Sequence, residues 1–158
     1  MDLIGAAGTA VTAADLTVKG WGVLKRWRNG DVRITHPPNR KIVNPGWVDL
    51  SGTHDLTGHK KRHGHFWLVS RSRDEYWPKG EIDLKEDKQW HESVHLNDSW
   101  GPRESVVLLV HVSEFMHEIL TDYKRRAGRT NYDPVRMHPP KTHFSVVQGL
   151  ILQIPAKP

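Results

Sequence analysis

Val106-Val107-Leu108-Leu109-Val110-His111-Val112 is the most apolar run in the chain, and its reading decides the fold. It has the length of a strand, is rich in stiff β-branched valine, and follows the turn-forming stretch Asp98-Ser99-Trp100-Gly101-Pro102. Working outward, Gly64 to Ser70 reads as a second strand with a buried heart at Phe66-Trp67-Leu68-Val69. Phe144 to Ile154 supplies another, through Val146, Val147, Leu150, Ile151, Leu152 and Ile154. Shorter strands are expected at Asp31–Thr35, at Trp47, Val48 and Leu50 closed by Gly52, and at Trp90, Val94 and Leu96. His36-Pro37-Pro38-Asn39 and Asn44-Pro45-Gly46 break the chain between them, because proline lacks an amide donor and restricts its predecessor. Six or so short strands with this punctuation predict a mainly β fold, an antiparallel sandwich over residues 31–155.

One helix is expected among the strands. Ser113 can cap it, Phe115, Met116, Ile119, Leu120 and Tyr123 form its apolar face, and Lys124, Arg125 and Arg126 suit its C-terminal dipole over Ser113 to Arg126. Residues 1–28 have a different texture, rich in Ala, Gly and Thr, with Leu3, Ala7, Val11, Ala14, Val18 and Trp21 at spacings of three and four. That periodicity predicts a separate N-terminal helix ending near Gly20–Gly22.

Composition narrows the function classes. The chain has 158 residues, with Lys and Arg numbering 23 against 18 Asp and Glu, for a net charge of +5. That excess permits an anionic partner without requiring one. Mean hydropathy is −0.61, and no segment approaches the roughly 20 apolar residues that span a bilayer. With no cysteine, disulfides, iron–sulfur clusters, thiol nucleophiles and Cys-ligated zinc are excluded. No nucleophile elbow, phosphate loop, dinucleotide fingerprint or His-Glu-x-x-His is present, so no reaction is dictated.

In order along the chain stand Val32-x-Ile34, Pro37, Val48-x-Leu50-Ser51-Gly52-Thr53, Phe66-Trp67-Leu68-Val69 and Tyr76-Trp77-Pro78-Lys79-Gly80. Trp90, the Val106–Val112 run, Tyr123 and the last strand follow. This order resembles a bacterial immunoglobulin-like β-sandwich module with a Trp-Pro-x-Gly hairpin, over residues 31–155 only. The resemblance implies an accessory or interaction domain with no catalytic residues and no cofactor. The His- and Lys-rich insertion between Ser51 and Gly64 departs from it.

Three constellations stand out. His54, His59, His63 and His65 are the candidate metal ligands, but Lys60, Lys61 and Arg62 between them would repel a cation, so no metal is expected. Of seven tryptophans, Trp47, Trp67 and Trp90 are expected to fill the core, while Trp77 either pins a turn before Pro78 or joins Tyr76 and Trp100 in a stacking platform on loops. The basic clusters Lys60-Lys61-Arg62 and Lys124-Arg125-Arg126 invite a nucleic-acid reading, but the second equally suits a helix end and acids intervene in sequence; nucleic acid is not the expected partner. His111 and His117 read as local polar positions.

The expected function is a non-enzymatic binding and assembly module, cytoplasmic, whose sandwich recognises a protein or other ligand. Its N-terminal helix would oligomerise or dock through Leu3, Ala7, Val11, Val18 and Trp21. The alternative is a membrane-associated effector or adaptor anchored by that helix, with peripheral lipid contact through Trp21, Trp27 and the basic residues between them. A His-ligated metal hydrolase is a distant third.

Overall fold

Val106–Val112 is the heart of a ten-residue strand, β7 (Arg103–Val112), at the centre of the larger of two sheets. The structure is a computed structural model and describes residues 31–57, 64–72, 75–127 and 144–158. The remaining described elements are β1 (Val32–His36), β2 (Lys41–Ile42), β3 (Trp47–His54), β4 (His65–Ser72), β5 (Glu75–Glu81), β6 (Gln89–His95), α1 (Glu114–Ala127) and β8 (Phe144–Ile154). The order β2-β8-β7-β4-β5 makes a five-stranded sheet and β1-β3-β6 a three-stranded one.

The inner faces of both sheets share one core. Val32, Ile34, Val48, Leu50, Trp90 and Val94 of the smaller sheet meet Phe66, Leu68, Val107, Leu109, Leu150 and Leu152 of the larger. Each such side chain contributes about 1.5–3 kcal/mol by leaving water. The sandwich-like, mainly β reading therefore holds, although the expectation of purely antiparallel pairing needs correction. β2 runs parallel to β8, with Lys41 opposite Leu152. Arg40 N–H donates to Ile151 O at 2.7 Å and Val43 N–H to Gln153 O at 2.9 Å, while Asn39 Oδ1 accepts from Ile151 N–H at 2.9 Å. The chain thus leaves one sheet at Pro37 and joins the other.

A second apolar layer lies on the outer face of the larger sheet. Trp67, Val69, Tyr76, Leu108, Val110 and Val112 pack there against Met116 and Leu120 of α1. Both faces of β4 and β7 are covered, which is why their sequences run apolar without alternating. Ser113 caps α1, its Oγ accepting from Met116 N–H at 3.3 Å, as the sequence predicts. The helical stripe is narrower than expected: Met116 and Leu120 are buried, whereas Phe115 and Ile119 are exposed.

Two close fits hold the smaller sheet. Gly52 sits under the Trp90 indole, and a Cβ there would lie 1.9 Å from Arg33 O and 2.4 Å from Trp90 Cζ2. Gln148, paired with Leu109, flanks the register shift that leaves Val147 extra in β8, and its side-chain amide acts as a substitute peptide group for β1. Ile34 N–H donates to Gln148 Oε1 at 2.8 Å, and Gln148 Nε2 donates to Ile34 O at 3.3 Å.

The tryptophan expectations divide. Trp90 is fully buried in the shared core. Trp67 is buried too, but beneath the helix rather than between the sheets. Trp47 is 71% exposed, on the outer face of β3 beside His95, because its position has the opposite parity to Val48 and Leu50. Tyr76-Trp77-Pro78-Lys79-Gly80 is not a hairpin turn but the body of edge strand β5, where proline is tolerated. The predicted N-terminal helix, with Leu3, Ala7, Val11, Val18 and Trp21, lies outside the described residues. So do His59, Lys60, Lys61, Arg62 and His63.

Candidate functional site

Two places gather chemistry on this scaffold. The first is a cleft of about 550 Å³ at one end of the two sheets. Its floor is Ser70 of β4, Trp77 and Lys79 of β5, and Arg103 and Ser105 of β7; its rim is the loop from His95 to Ser99. β5 carries a bulge here, since Val69 pairs with Pro78 and Leu68 with Gly80, leaving Lys79 as the extra residue. Bulges re-aim side chains, and this one turns an amine into the cleft. The loop is pinned by its own polar groups. Arg103 donates to the carbonyls of Ser99 and Asn97, Asn97 Oδ1 accepts from Ser99 N–H at 2.9 Å, and His95 Nε2 lies 2.9 Å from Asp98 Oδ1. Gly46, at φ 102°, brings the preceding turn against Asp98.

The charges of the cleft are unequally matched. Asp98 has His95, and Glu104 has Arg40 at 3.3 Å. Arg71 lies over the Tyr76 ring, 5.7 Å from its centroid. Lys79 has no carboxylate of the described residues within ion-pairing distance, and burial holds its amine below the ordinary lysine range. A half-buried cation without a counter-charge is costly to keep.

The second place is the seam between α1 and the β4–β5 edge. Antiparallel register puts Trp67 opposite Glu81, and α1 lays His117 beside them. His65 Nδ1 is 2.8 Å from Glu81 Oε1, its Nε2 is 2.7 Å from Glu114 Oε2, and its ring stacks on His117 with centroids 3.8 Å apart. His117 Nδ1 lies 3.7 Å from the same Glu81 oxygen. Trp67 Nε1–H donates to His117 Nδ1 at 3.2 Å, so that nitrogen carries a lone pair and the His117 proton sits on Nε2. Desolvation pulls the His65 pKa down, but the Glu81 and Glu114 carboxylates more than offset it, and His65 titrates above its ordinary value. The pKa of His111, half-buried beside Phe66, is lowered by burial and by the charge of His65. A shallow hollow of about 320 Å³, lined by Trp67, Glu81, Thr121, Lys124 and Arg125, opens beside the cluster.

The sequence-predicted residues are redistributed accordingly. Trp77 lines the cleft, but Tyr76 is 2% exposed on the opposite face of β5, and Trp100 does not line the cleft. The three residues therefore form no common platform. His54 turns inward, with Nε2 2.7 Å from Lys85 O and Nδ1 buried without a partner among the described residues, while His65 lies in the helix seam. The helix-end cations are largely engaged: Arg125 and Arg126 both pair with Asp122, whose carboxyl the Arg125 hydrogen bond and both positive charges hold below its usual range. Lys124 Nζ and Glu92 Oε1 converge over Gly80, each 3.0 Å from where a Cβ would be. Sequence reading missed Lys79, Glu81 and His117. The signal for His117 was its place one residue after the buried Met116, at the margin of the helix stripe.

No family model matches the chain, and no curated protein matches it either.

Proposed function

We propose that the chain is a non-enzymatic binding module of immunoglobulin-like architecture whose end cleft receives an acidic segment of a protein partner. The architectural part is supported by the strand orders β1-β3-β6 and β2-β8-β7-β4-β5 around one core. The observation that carries the functional part is Lys79: an ammonium turned into a 550 Å³ cleft, beside the Trp77 ring, with no described carboxylate paired to it. A carboxylate delivered there would recover the cost of burying that charge, and Trp77 offers the flat apolar surface that binding sites favour.

The test is an NMR titration of the full-length chain with a capped tetraglutamate peptide. Shifts centred on Lys79, Trp77 and Arg103, abolished by Lys79→Gln and weakened by salt, are expected. Shifts elsewhere, or none, refute the reading. The N-terminal segment is the proposed assembly device: Val11→Asp in the full-length chain should lower the oligomeric mass in light scattering without altering the β spectrum. An unchanged mass refutes that part. No helix among the described residues is long and apolar enough to cross a membrane.

A further inference from the structure

We propose that His65, Glu81 and His117 form a site for one zinc-like divalent cation that fastens α1 to the β4–β5 edge. Three donor atoms, one from each residue, lie within 4.8 Å of one another. Zinc bonds of about 2.1 Å in a tetrahedron place neighbouring ligand atoms roughly 3.4 Å apart. The two His–Glu separations, 2.8 and 3.7 Å, straddle that value. The two imidazoles now stack, 3.8 Å apart and 15° from parallel, so their in-plane lone pairs run side by side, and binding requires one ring to turn so that both converge on the ion.

The surroundings favour a metal over a fortuitous cluster. A metal-bound imidazole normally donates its other N–H to a carboxylate, which fixes the ring and strengthens the donor. Glu114 holds that position on His65, accepting at 2.7 Å from Nε2 while Nδ1 faces the site. His117 presents an unprotonated Nδ1, the form a metal needs. Two carboxylates, Glu81 and Glu114, offset the added charge. Of the cations lining the adjacent hollow, Arg125 is paired with Asp122, and the Lys124 amine lies toward Glu92 over Gly80. Two imidazoles and one carboxylate suit zinc rather than magnesium or calcium, which require more oxygen ligands. This departs from the sequence reading, which expected no metal and placed the histidines of interest in the loop before β4.

The metal would take the lone pair that Trp67 now uses, which provides a readout independent of stability. The experiment uses untagged, chelator-treated full-length protein titrated with Zn²⁺ by calorimetry and with Co²⁺ by visible absorption, with the Trp67 indole N–H followed by NMR. One ion per chain, a tetrahedral Co²⁺ band and a displaced Trp67 N–H resonance are expected. His117→Gln and Glu81→Gln should each weaken binding more than tenfold, and Glu114→Gln should weaken it roughly tenfold. Glu114 is largely exposed, so its variant keeps the test valid should the others misfold. The double variant His59→Gln with His63→Gln should bind as the parent does. Absence of binding, or binding lost in the His59/His63 variant and retained in the other three, overturns the proposal.

Discussion

Replacing Gly52 by alanine tests the packing logic at its tightest point. The new methyl would sit 1.9 Å from Arg33 O and 2.4–2.5 Å from two atoms of the Trp90 indole. To reach van der Waals distance, β1 or β3 must retreat by more than roughly an ångström, enough to break ladder hydrogen bonds. Ile34 is paired opposite Gly52, and Arg33 opposite Thr53, so the loss falls on the middle of the β1–β3 ladder. One or two broken bonds at about 1 kcal/mol each, plus about 1–3 kcal/mol for overpacking a filled core, give roughly 2–5 kcal/mol. For a chain of this size that lowers the melting temperature by roughly 4–20 °C. Urea unfolding followed by circular dichroism measures the free energy, and calorimetry the melting temperature. A second variant separates the two clashes. Adding Trp90→Leu to Gly52→Ala makes room on the indole side but none at Arg33 O, so the double variant should stay at least as unstable. If Gly52→Ala lies within about 1 kcal/mol of the parent, or if Trp90→Leu rescues it, the account of this contact is wrong.

Other expectations follow from the same geometry. Gln148→Ala leaves Ile34 N–H and C=O without their substitute peptide group; it should cost about 1–3 kcal/mol and accelerate amide exchange at Ile34 above all other β1 residues. Leu109→Ala, in the middle of β7 and fully buried, should cost about 2–5 kcal/mol in urea unfolding, a loss that a surface site would not show. Burial pushes the Glu92 carboxyl above the usual range, against the pull of Lys124, so the native state holds this proton more tightly than the unfolded chain. The stability it contributes is present at acidic pH and lost as pH rises through the raised value, so Glu92→Gln should flatten that part of the profile and raise the urea midpoint at neutral pH. An unchanged pH profile in the variant would count against this assignment.

The strands legible in the sequence are those whose side chains state their own burial. β7, β8 and the Phe66–Val69 core of β4 announce themselves by apolarity, and α1 by its cap and basic end. β5 was misread because Trp77-Pro78-Lys79-Gly80 has turn composition, and only its place at a sheet edge makes that composition acceptable in a strand. Trp47 was misassigned by residue type, though its parity relative to Val48 and Leu50 points outward. Of the His65–Glu81–His117 seam, the sequence singled out only His65. Those residues are brought together by the β4–β5 register and by the helix settling on the outer face, and neither follows from local spacing. The unbroken apolar runs of β4 and β7 did contain the hint, because a sheet apolar on both faces needs a cover and 114–127 is the one helix among the described residues. Lys79 escaped notice for a similar reason, since a bulge is a property of two strands together.

The parallel seating of β2 on β8 has a mechanical meaning. β2 lies toward the beginning of the described chain and β8 at its end, and the two run in the same direction. Tension applied between residue 31 and residue 158 pulls these strands past one another along their length rather than peeling them apart from one side. The hydrogen bonds from Arg40, Val43 and Ile151 then stretch together instead of opening in turn, and the pair resists as a clamp. A load entering at residue 31 meets the β1–β3 ladder first, and behind it the two-residue strand that contributes least to the core is the latch.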